Sequence, residues 1–336
     1  MSYVPQYTIS ARLLSLVEEI ASLRERIQGA SIELSWIPAL QKDTRTRNGH
    51  ASTAIEGNPL TLEQVRALEE GRELVASDQR SQREVTKYFA GLRFVEKNVT
   101  LKTIRHEHLF ELHRILAGDV MDQGKAGSYR TMGVQVGNHL PPAAEDVSPL
   151  MFELLEWWND KAPELSPVLS AAILHYRFEH IHPFADGNGR MGRALSLWEL
   201  YRRGFDSHHI FSVDEYYWED RPAYYAALEQ VRLAGEDLSQ WLEYSAEGFR
   251  HTLQRAWLRV QQFQQKGAEK IVLTPKQERL LGLLRDHGSM APSEIWAALD
   301  ISKQGAMNLI NPLLKAGLIE KLGTKKSGRY ALVNPG

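Results

Sequence analysis

The chain has no cysteine in its 336 residues. Disulfide frameworks and thiolate-bound metals are thereby excluded, and a reducing cytoplasm is the expected location. Long apolar runs are missing too. No stretch reaches the roughly 18 residues of a membrane-spanning helix, and no basic-then-apolar leader pattern opens the chain, so secretion and membrane insertion are not expected. Net charge is nearly absent: 40 Lys+Arg stand against 42 Asp+Glu, a formal −2, which gives the chain as a whole no pull toward nucleic acid. Repeats and low-complexity tracts are also lacking. What remains is ordinary globular composition, 43% hydrophobic and 24% charged, with length for two or three domains.

The patterning is almost entirely helical. Apolar residues at three-and-four spacing (Leu13, Leu14, Val17, Ile20, Leu23, Ile27) predict a helix over 10–28 that stops near Gly29. Similar patterns cover 62–70, 79–96 and 103–116. Ser148-Pro149 and Ser166-Pro167 read as helix starts, since serine caps and proline suits the first turn. From 237 to 265 a single long helix carries Leu242, Ala246, Phe249, Leu253, Ala256, Val260 and Phe263 at four-three spacing. That stripe is either a face lying on its own domain or the seam of a homodimer. Against this background GSYRTMGVQVGNHLPP (127–142) stands out, with Val134 and Val136 alternating between glycines; it predicts a short β-hairpin, a flap or a structural arm.

The C-terminal region has its own grammar. QQKGAEK (264–270) reads as a linker. Thr274-Pro275 with Gln277 is a capping pattern, followed by helices to Arg285, over 292–299 and over 302–315, then strands at 318–322 and 329–333 around GTKKS. Three helices and a β-ribbon resemble a winged helix-turn-helix domain. From Ile271 onward nine Lys+Arg face five Asp+Glu, so a nucleic-acid surface would sit here. Lys303, Gln304, Asn308 and Asn311 are placed to face a groove, with Lys321, Lys325, Lys326 and Arg329 in the wing reaching phosphates, a DNA contact spanning 302–329. Winged helices also dock proteins, and that alternative stands.

One stretch carries chemistry: HPFADGNGR, residues 182–190. It is too polar for a core and too rich in glycine for regular structure. A helix starting at Gly187 or Asn188 points unpaired N–H groups and its positive dipole end at the loop. Gly187 and Gly189 allow close backbone approach, while Arg190 and Arg193 add two charges suited to phosphate oxygens. An acid in such a cradle makes sense with a cation: Asp186 can hold Mg²⁺, itself bound to nucleotide phosphates. His182 is then a general base that takes a hydroxyl proton as that oxygen attacks phosphorus. A zinc site at His175, His180 and His182 is disfavoured, because 175 and 180 lie five apart and share no helix face well. His175 alone reads as a packed helix residue.

HPFADGNGRMGR, preceded by HYRFEHI (175–181), matches the signature motif of the Fic family without a mismatch, and the resemblance spans roughly 45–250. It implies a mainly α fold: a helical Fic core with a small β-hairpin flap, here joined to the winged helix. The expected layout is an N-terminal helical region at 1–100, a core at 101–263, a linker at 264–273 and the winged helix at 274–336. Members of the family transfer part of a nucleotide, usually AMP from ATP, to a Ser, Thr or Tyr hydroxyl of a target protein. By that resemblance His182 is the base, Asp186 the Mg²⁺ ligand, Gly187, Asn188 and Gly189 the anion hole, and Arg190 and Arg193 the phosphate ligands. The flap would align the target by strand pairing. Tyr217, Tyr224 and Tyr225 follow the core, where the family lines its base pocket, and Tyr225 is the expected contact.

STAIEGN (52–58) is the other compact signal. Ser52 and Glu56, four apart, share a helix face, so the hydroxyl can steady the carboxylate; Gly57 and Asn58-Pro59 end the helix. Alone it is a helix end with one acid. Beside a Fic core it resembles the family's inhibitory motif, which implies a Glu56–Arg193 pair blocking the place of the γ-phosphate, in the subclass with an N-terminal inhibitor. The resemblance allows a second role for Glu56 in removing AMP, and acceptors that include the chain itself. The competing function is a nucleotide-sensing transcriptional regulator that binds DNA through its winged helix.

Overall fold

The computed structural model describes residues 3–30, 36–72, 74, 78–206, 208–265, 273–315, 318–322 and 328–333. They divide into two compact units, 1–30 with 43–258, and 31–42 with 259–336. The helices expected within 1–100 thus share a unit with those of the core.

The helices run in order as α1 (Ala11–Gln28), α2 (Ile37–Ile55), α3 (Leu62–Glu69), α4 (Gln79–Lys97), α5 (His106–Ala117), α6 (Ala144–Asp160), α7 (Pro167–Ile181), α8 (Asn188–Arg202), α9 (Asp214–Glu219), α10 (Arg221–Leu233) and α11 (Ser239–Gln265). Ser10 caps α1 by accepting from Leu13 N–H, and Thr61 and Gln64 form a reciprocal capping box on α3. The centre is α7 against α8. Both are buried almost all round, from Val168 to Ile181 and from Asn188 to Tyr201, which is why neither shows an amphipathic stripe. Trp157, Trp158, Trp198 and Trp241 fill the space about them.

Three local expectations change. The helix expected to start at Ser148-Pro149 starts at Ala144. Glu145 and Asp146 favour the positive end of its dipole, and Pro149 is carried inside at the loss of one backbone bond. Ser166 precedes α7 as expected, but its hydroxyl makes no cap bond. The hairpin at 127–142 is not a ladder: it contains the isolated bridge Val136↔His139, closed by reciprocal backbone bonds of 3.0 and 2.9 Å. The carbonyls of Met132 and Pro142, which cross-strand pairing would use, accept instead from the Arg130 guanidinium. The stripe on α11 resolves to the first of its two readings. Leu242, Ala246, Phe249, Leu253 and Ala256 are buried in the chain's own core and are not free to form a dimer seam.

The second unit holds α12 (Pro275–His287), β1 (Ser289–Met290), α13 (Pro292–Leu299), α14 (Lys303–Lys315), β2 (Ile319–Leu322) and β3 (Arg329–Leu332). β3 lies between β1 and β2, antiparallel to both. The two-residue β1 is too short for a sequence pattern to announce. Leu280, Leu284, Ile295, Ile310, Leu313 and Tyr330 build a core of its own. The expected linker falls mostly outside the described residues, as do Lys325 and Lys326.

Candidate active site

The segment between α7 and α8 lines a cleft of about 540 Å³, within the range of small-molecule sites. His182 caps α7 in the left-handed region (φ 49, ψ 60), a conformation that costs a non-glycine residue about 1–2 kcal/mol and therefore needs its surroundings to enforce it. Several contacts do. Asn188 ties the loop through its side-chain amide, accepting from Phe184 N–H at 2.9 Å and donating to Phe184 O at 2.8 Å. Phe184 is fully buried and stacks on His113 with ring centroids 3.8 Å apart. His113 in turn donates from Nε2 to Asp186 O (2.9 Å) and accepts from Gly127 N–H at Nδ1 (2.9 Å). Gly187, the N-cap of α8, is also left-handed (φ 76), where its lack of a Cβ is needed.

The expected residues meet here with a division of labour. His182, Gly189, Arg193, Glu56 and Tyr225 line the cleft together with Glu179, Tyr224, Arg221 and the bridge residues Val136–His139. Asn188 spends its side chain on the loop, so its backbone N–H is what it can offer an anion. Arg190 is buried, and its Nε and Nη1 have no hydrogen-bond partner in the protein, while Nη2 stands 3.9 Å from Asp186 Oδ1. Buried guanidinium donors without acceptors suit an incoming anion. Asp186 accepts from Gly187 N–H at 2.6 Å through Oδ1 and keeps about a third of its side chain exposed. One open carboxylate suits Mg²⁺, which takes its remaining ligands from phosphates and water. Among the described residues no group of three or more acids and histidines could hold a metal by itself, and His175 is engaged with the Tyr224 hydroxyl (2.8 Å).

Arg193 is almost fully enclosed. Its Nη2 donates to Glu56 Oε1 at 2.6 Å and to Ser52 O at 2.9 Å, and its Nε donates to Ser52 Oγ at 2.7 Å. Asp214 Oδ2 lies 3.9 Å away and accepts from the Tyr88 hydroxyl. The expectation that Ser52 would steady Glu56 therefore changes: the serine steadies the arginine, which both residues share. Burial pushes the Glu56 carboxyl up, but the charge and hydrogen bond of Arg193, with Arg190 and His182 beyond, outweigh it and hold Glu56 below the usual range. Tyr225 is partly exposed to the cleft, lies under the Arg221 guanidinium and reaches Ile55 O at 3.4 Å. Tyr217 is fully buried and cannot touch a ligand.

Sequence reasoning missed Glu179, Arg130, His113, Tyr88 and Asp214. Glu179 lies one helical turn before His182, with Oε2 3.7 Å from His182 Nδ1, and burial pushes it up to about 8. Burial also lowers His182 to about 4, so the ring is neutral at pH 7.

Burial likewise lowers His113 and His209 to about 4, and His175 and His180 to about 3. Below 6.5 the unfolded chain binds protons at these five rings and the native one does not, so stability rises with pH from about 4 to 6.5. Glu179 (about 8), Asp206 and Asp214 (each about 6) act in the opposite sense, but are fewer. The melting temperature is expected to fall steadily from pH 6.5 to 4; calorimetry across that range checks it, and a flat profile contradicts the burial of neutral rings.

In the second unit Lys303, Gln304, Asn308 and Asn311 share the exposed face of α14, and Lys321 is exposed on β2. Arg329 differs from its expected place at phosphates: it donates to Ser289 O and Glu294 Oε2, at 2.9 and 2.8 Å.

Comparison with known proteins bears on both units. Residues 103–200 match the Fic/DOC family and residues 273–329 match the MarR family. The chain is 32% identical over 252 residues to protein adenylyltransferase fic-1 of Caenorhabditis briggsae, covering 74% of this chain and 47% of the relative. It is 36% identical over 211 residues to fic-1 of Caenorhabditis elegans, covering 61% and 39%. It thus spans about half or less of those relatives' length. A crystal structure of a Fic family protein from Desulfovibrio desulfuricans G20 superimposes with a TM-score of 0.68 at 28% identity, covering 99% of both chains. Fic-1 (134–508) of C. elegans gives 0.65 at 28%, over 75% and 74%.

Proposed function

We propose, on the premise that the chain carries a Fic/DOC domain, that it transfers AMP from ATP to a Ser, Thr or Tyr hydroxyl of a protein and that Glu56 restrains this transfer. The observation that carries the reading is the cleft itself: the His182 ring, the start of α8 and the buried Arg193 converge on one cavity sized for a nucleotide. Its chemistry follows from the residues. With His182 neutral, its ring nitrogen takes the proton of an acceptor hydroxyl as that oxygen forms a bond to the α-phosphorus. The bond from that phosphorus to the bridging oxygen breaks, and pyrophosphate leaves. Backbone N–H groups at Asn188 and Gly189, with the Arg190 donors, face the charge that builds up on the phosphates. Asp186 would hold Mg²⁺ against the same phosphates, and the ion would neutralise the leaving group. Tyr225, on the wall of the cleft, would stack on the base.

The restraint follows from Arg193. A carboxylate bonded to it occupies donors that a terminal phosphate would use and repels the triphosphate, so the α-phosphorus lies off the line of attack. The same position next to the reacting phosphate would let Glu56 direct water in the reverse reaction. The direct test is intact-mass analysis of the Glu56→Gly protein after exposure to each nucleoside triphosphate with Mg²⁺. A gain of one AMP from ATP supports the reading, a gain from another donor revises the nucleotide, and no gain on the chain or on added protein acceptors overturns it. A compartment free of thiol oxidation fits the lack of cysteine, and no helix among the described residues is long and apolar enough to cross a membrane.

A second reading rests on the MarR match and the exposed polar face of α14: the C-terminal unit binds duplex DNA. Lys303→Ala and Lys321→Ala are each expected to lower the slope of log affinity against log salt by about 1, the amount for one lost phosphate contact. Slopes that do not move, or a chain that shifts no duplex at low salt, leave protein docking as the role of this unit.

A further inference from the structure

The C-terminal end of α7 leaves carbonyls at 180, 181 and 182 that have no partner within the helix. All three are taken by side chains of the 127–142 segment. His139 Nε2 lies 3.1 Å from His180 O, Arg130 Nη2 lies 3.3 Å from Ile181 O, and Arg130 Nε lies 2.9 Å from His182 O. The rest of the Arg130 fork ties the segment to itself: Nη1 donates to Met132 O at 3.0 Å and Nη2 to Pro142 O at 2.6 Å. The Arg130 backbone N–H donates to Pro183 O at 2.9 Å. One buried guanidinium thus joins both arms of the flap to the residue that bears the imidazole. The acceptors at 180–182 are backbone carbonyls at the negative end of α7, which suits a cation held without a carboxylate.

We propose that Arg130, aided by His139, is a positioning residue that locks the left-handed backbone of His182 to the flap, so that the base and the platform for the target segment move as one body. The flap tip, Val136 to His139, lines the same cleft as His182, and the Arg130 bonds fix the distance between them. A target strand seated on the flap would therefore meet a base already in register. Arg130 touches no reacting atom. Its effect falls on the alignment of attack and leaves nucleotide contacts with α8 in place. Lysine keeps the charge but cannot span four carbonyls from one planar fork.

This inference rests on the transferase reading, and the test separates the two. In the Glu56→Gly protein, initial rates of α-phosphate label transfer from ATP to the chain or to lysate protein are compared with those of the Arg130→Lys and His139→Ala derivatives. Arg130→Lys is expected to lose kcat by about 10²-fold, the scale of a misplaced base, with KM for ATP within twofold and a cooperative melt retained. His139→Ala, which removes one of the three carbonyl bonds, is expected to lose less in the same direction and carries the test if the lysine variant fails to fold. Full kcat in either folded variant, or a rise in KM that accounts for the whole loss, overturns the proposal. An independent readout uses histidine-labelled protein. In the chain that keeps Glu56, the His182 ring is expected to titrate near 4 and to shift toward the ordinary value near 6.5 when Arg130→Lys is introduced into that chain and the ring loosens into solvent. An unmoved titration also overturns the lock. If the parent transfers no label from any nucleotide, the transferase reading fails, and the titration alone decides the fate of the lock.

Discussion

Replacing Glu56 by glycine is expected to raise the rate of label transfer from ATP by about 10²-fold, because the carboxylate that misaligns the triphosphate is gone. The substitution leaves the site's architecture in place. Glu56 lies just past the last turn of α2, about a third of its side chain is open to the cleft, and its carboxylate is bonded through Oε1 alone to Arg193. Arg193 retains Ser52 Oγ, Ser52 O and the nearby Asp214, so a terminal phosphate would meet an arginine already in position. Binding of ATP is expected to change less than turnover, since the base wall and the start of α8 are untouched. Equal or lower transfer by the glycine variant would remove the restraining role. Glu56→Gln separates charge from bulk: partial activation is expected, as the amide still reaches Arg193 but no longer repels phosphate.

The second large effect is loss. His182→Ala in the Glu56→Gly background is expected to cut transfer by about 10²- to 10⁴-fold, the usual contribution of a positioned general base. The ring is held neutral at pH 7 by burial, so it is ready to accept a proton without first losing one. Its left-handed backbone is enforced from outside by the loop bonds of Asn188 and Arg130 and is expected to survive truncation of the side chain. Nucleotide binding, measured by titration calorimetry, is therefore expected to persist while chemistry fails. Transfer that continues undiminished would mean that another group takes the proton; Glu179, one turn away with a carboxyl near 8, is then the residue to replace next.

How much of this could be read beforehand depended on the kind of signal. Helices with one apolar face, α1 and α4 among them, were evident because a three-and-four stripe must be buried. The loop at 182–190 was evident because its residue types serve no packing purpose. α2 is legible only at its C-terminal end: beside Leu40, Ala51, Ala54 and Ile55 it buries Thr44, Arg45, Thr46, Asn48, Ser52 and Thr53, polar residues that a hydrophobicity pattern cannot mark. Arg45 is buried there only because Glu69 and Glu96 meet it from α3 and α4, and partners so distant in sequence leave no periodic trace. The same holds for Tyr88 and Asp214, which brace Arg193 from helices over a hundred residues apart. Arg130 was hidden for a different reason. Its role depends on carbonyl oxygens, and every residue carries one, so no pattern of side chains foretells it. The hairpin closes by one bridge and no ladder; alternation says where side chains point and cannot say that a neighbouring guanidinium will claim the ladder's acceptors.

The shared grip on Arg193 has a consequence for how fast the site can change state. Ser52 sits in the last turn of α2 and Glu56 just past its end, and in the proposed mechanism only the acid would have to leave for a nucleotide to be seated productively. In the proposed mechanism a rotation of the Glu56 side chain would release its bond to Arg193 and leave both Ser52 bonds in place. Rotamer changes of partly exposed side chains are fast, so under the proposed reading any contact that draws the acid aside would favour the transfer-competent arrangement.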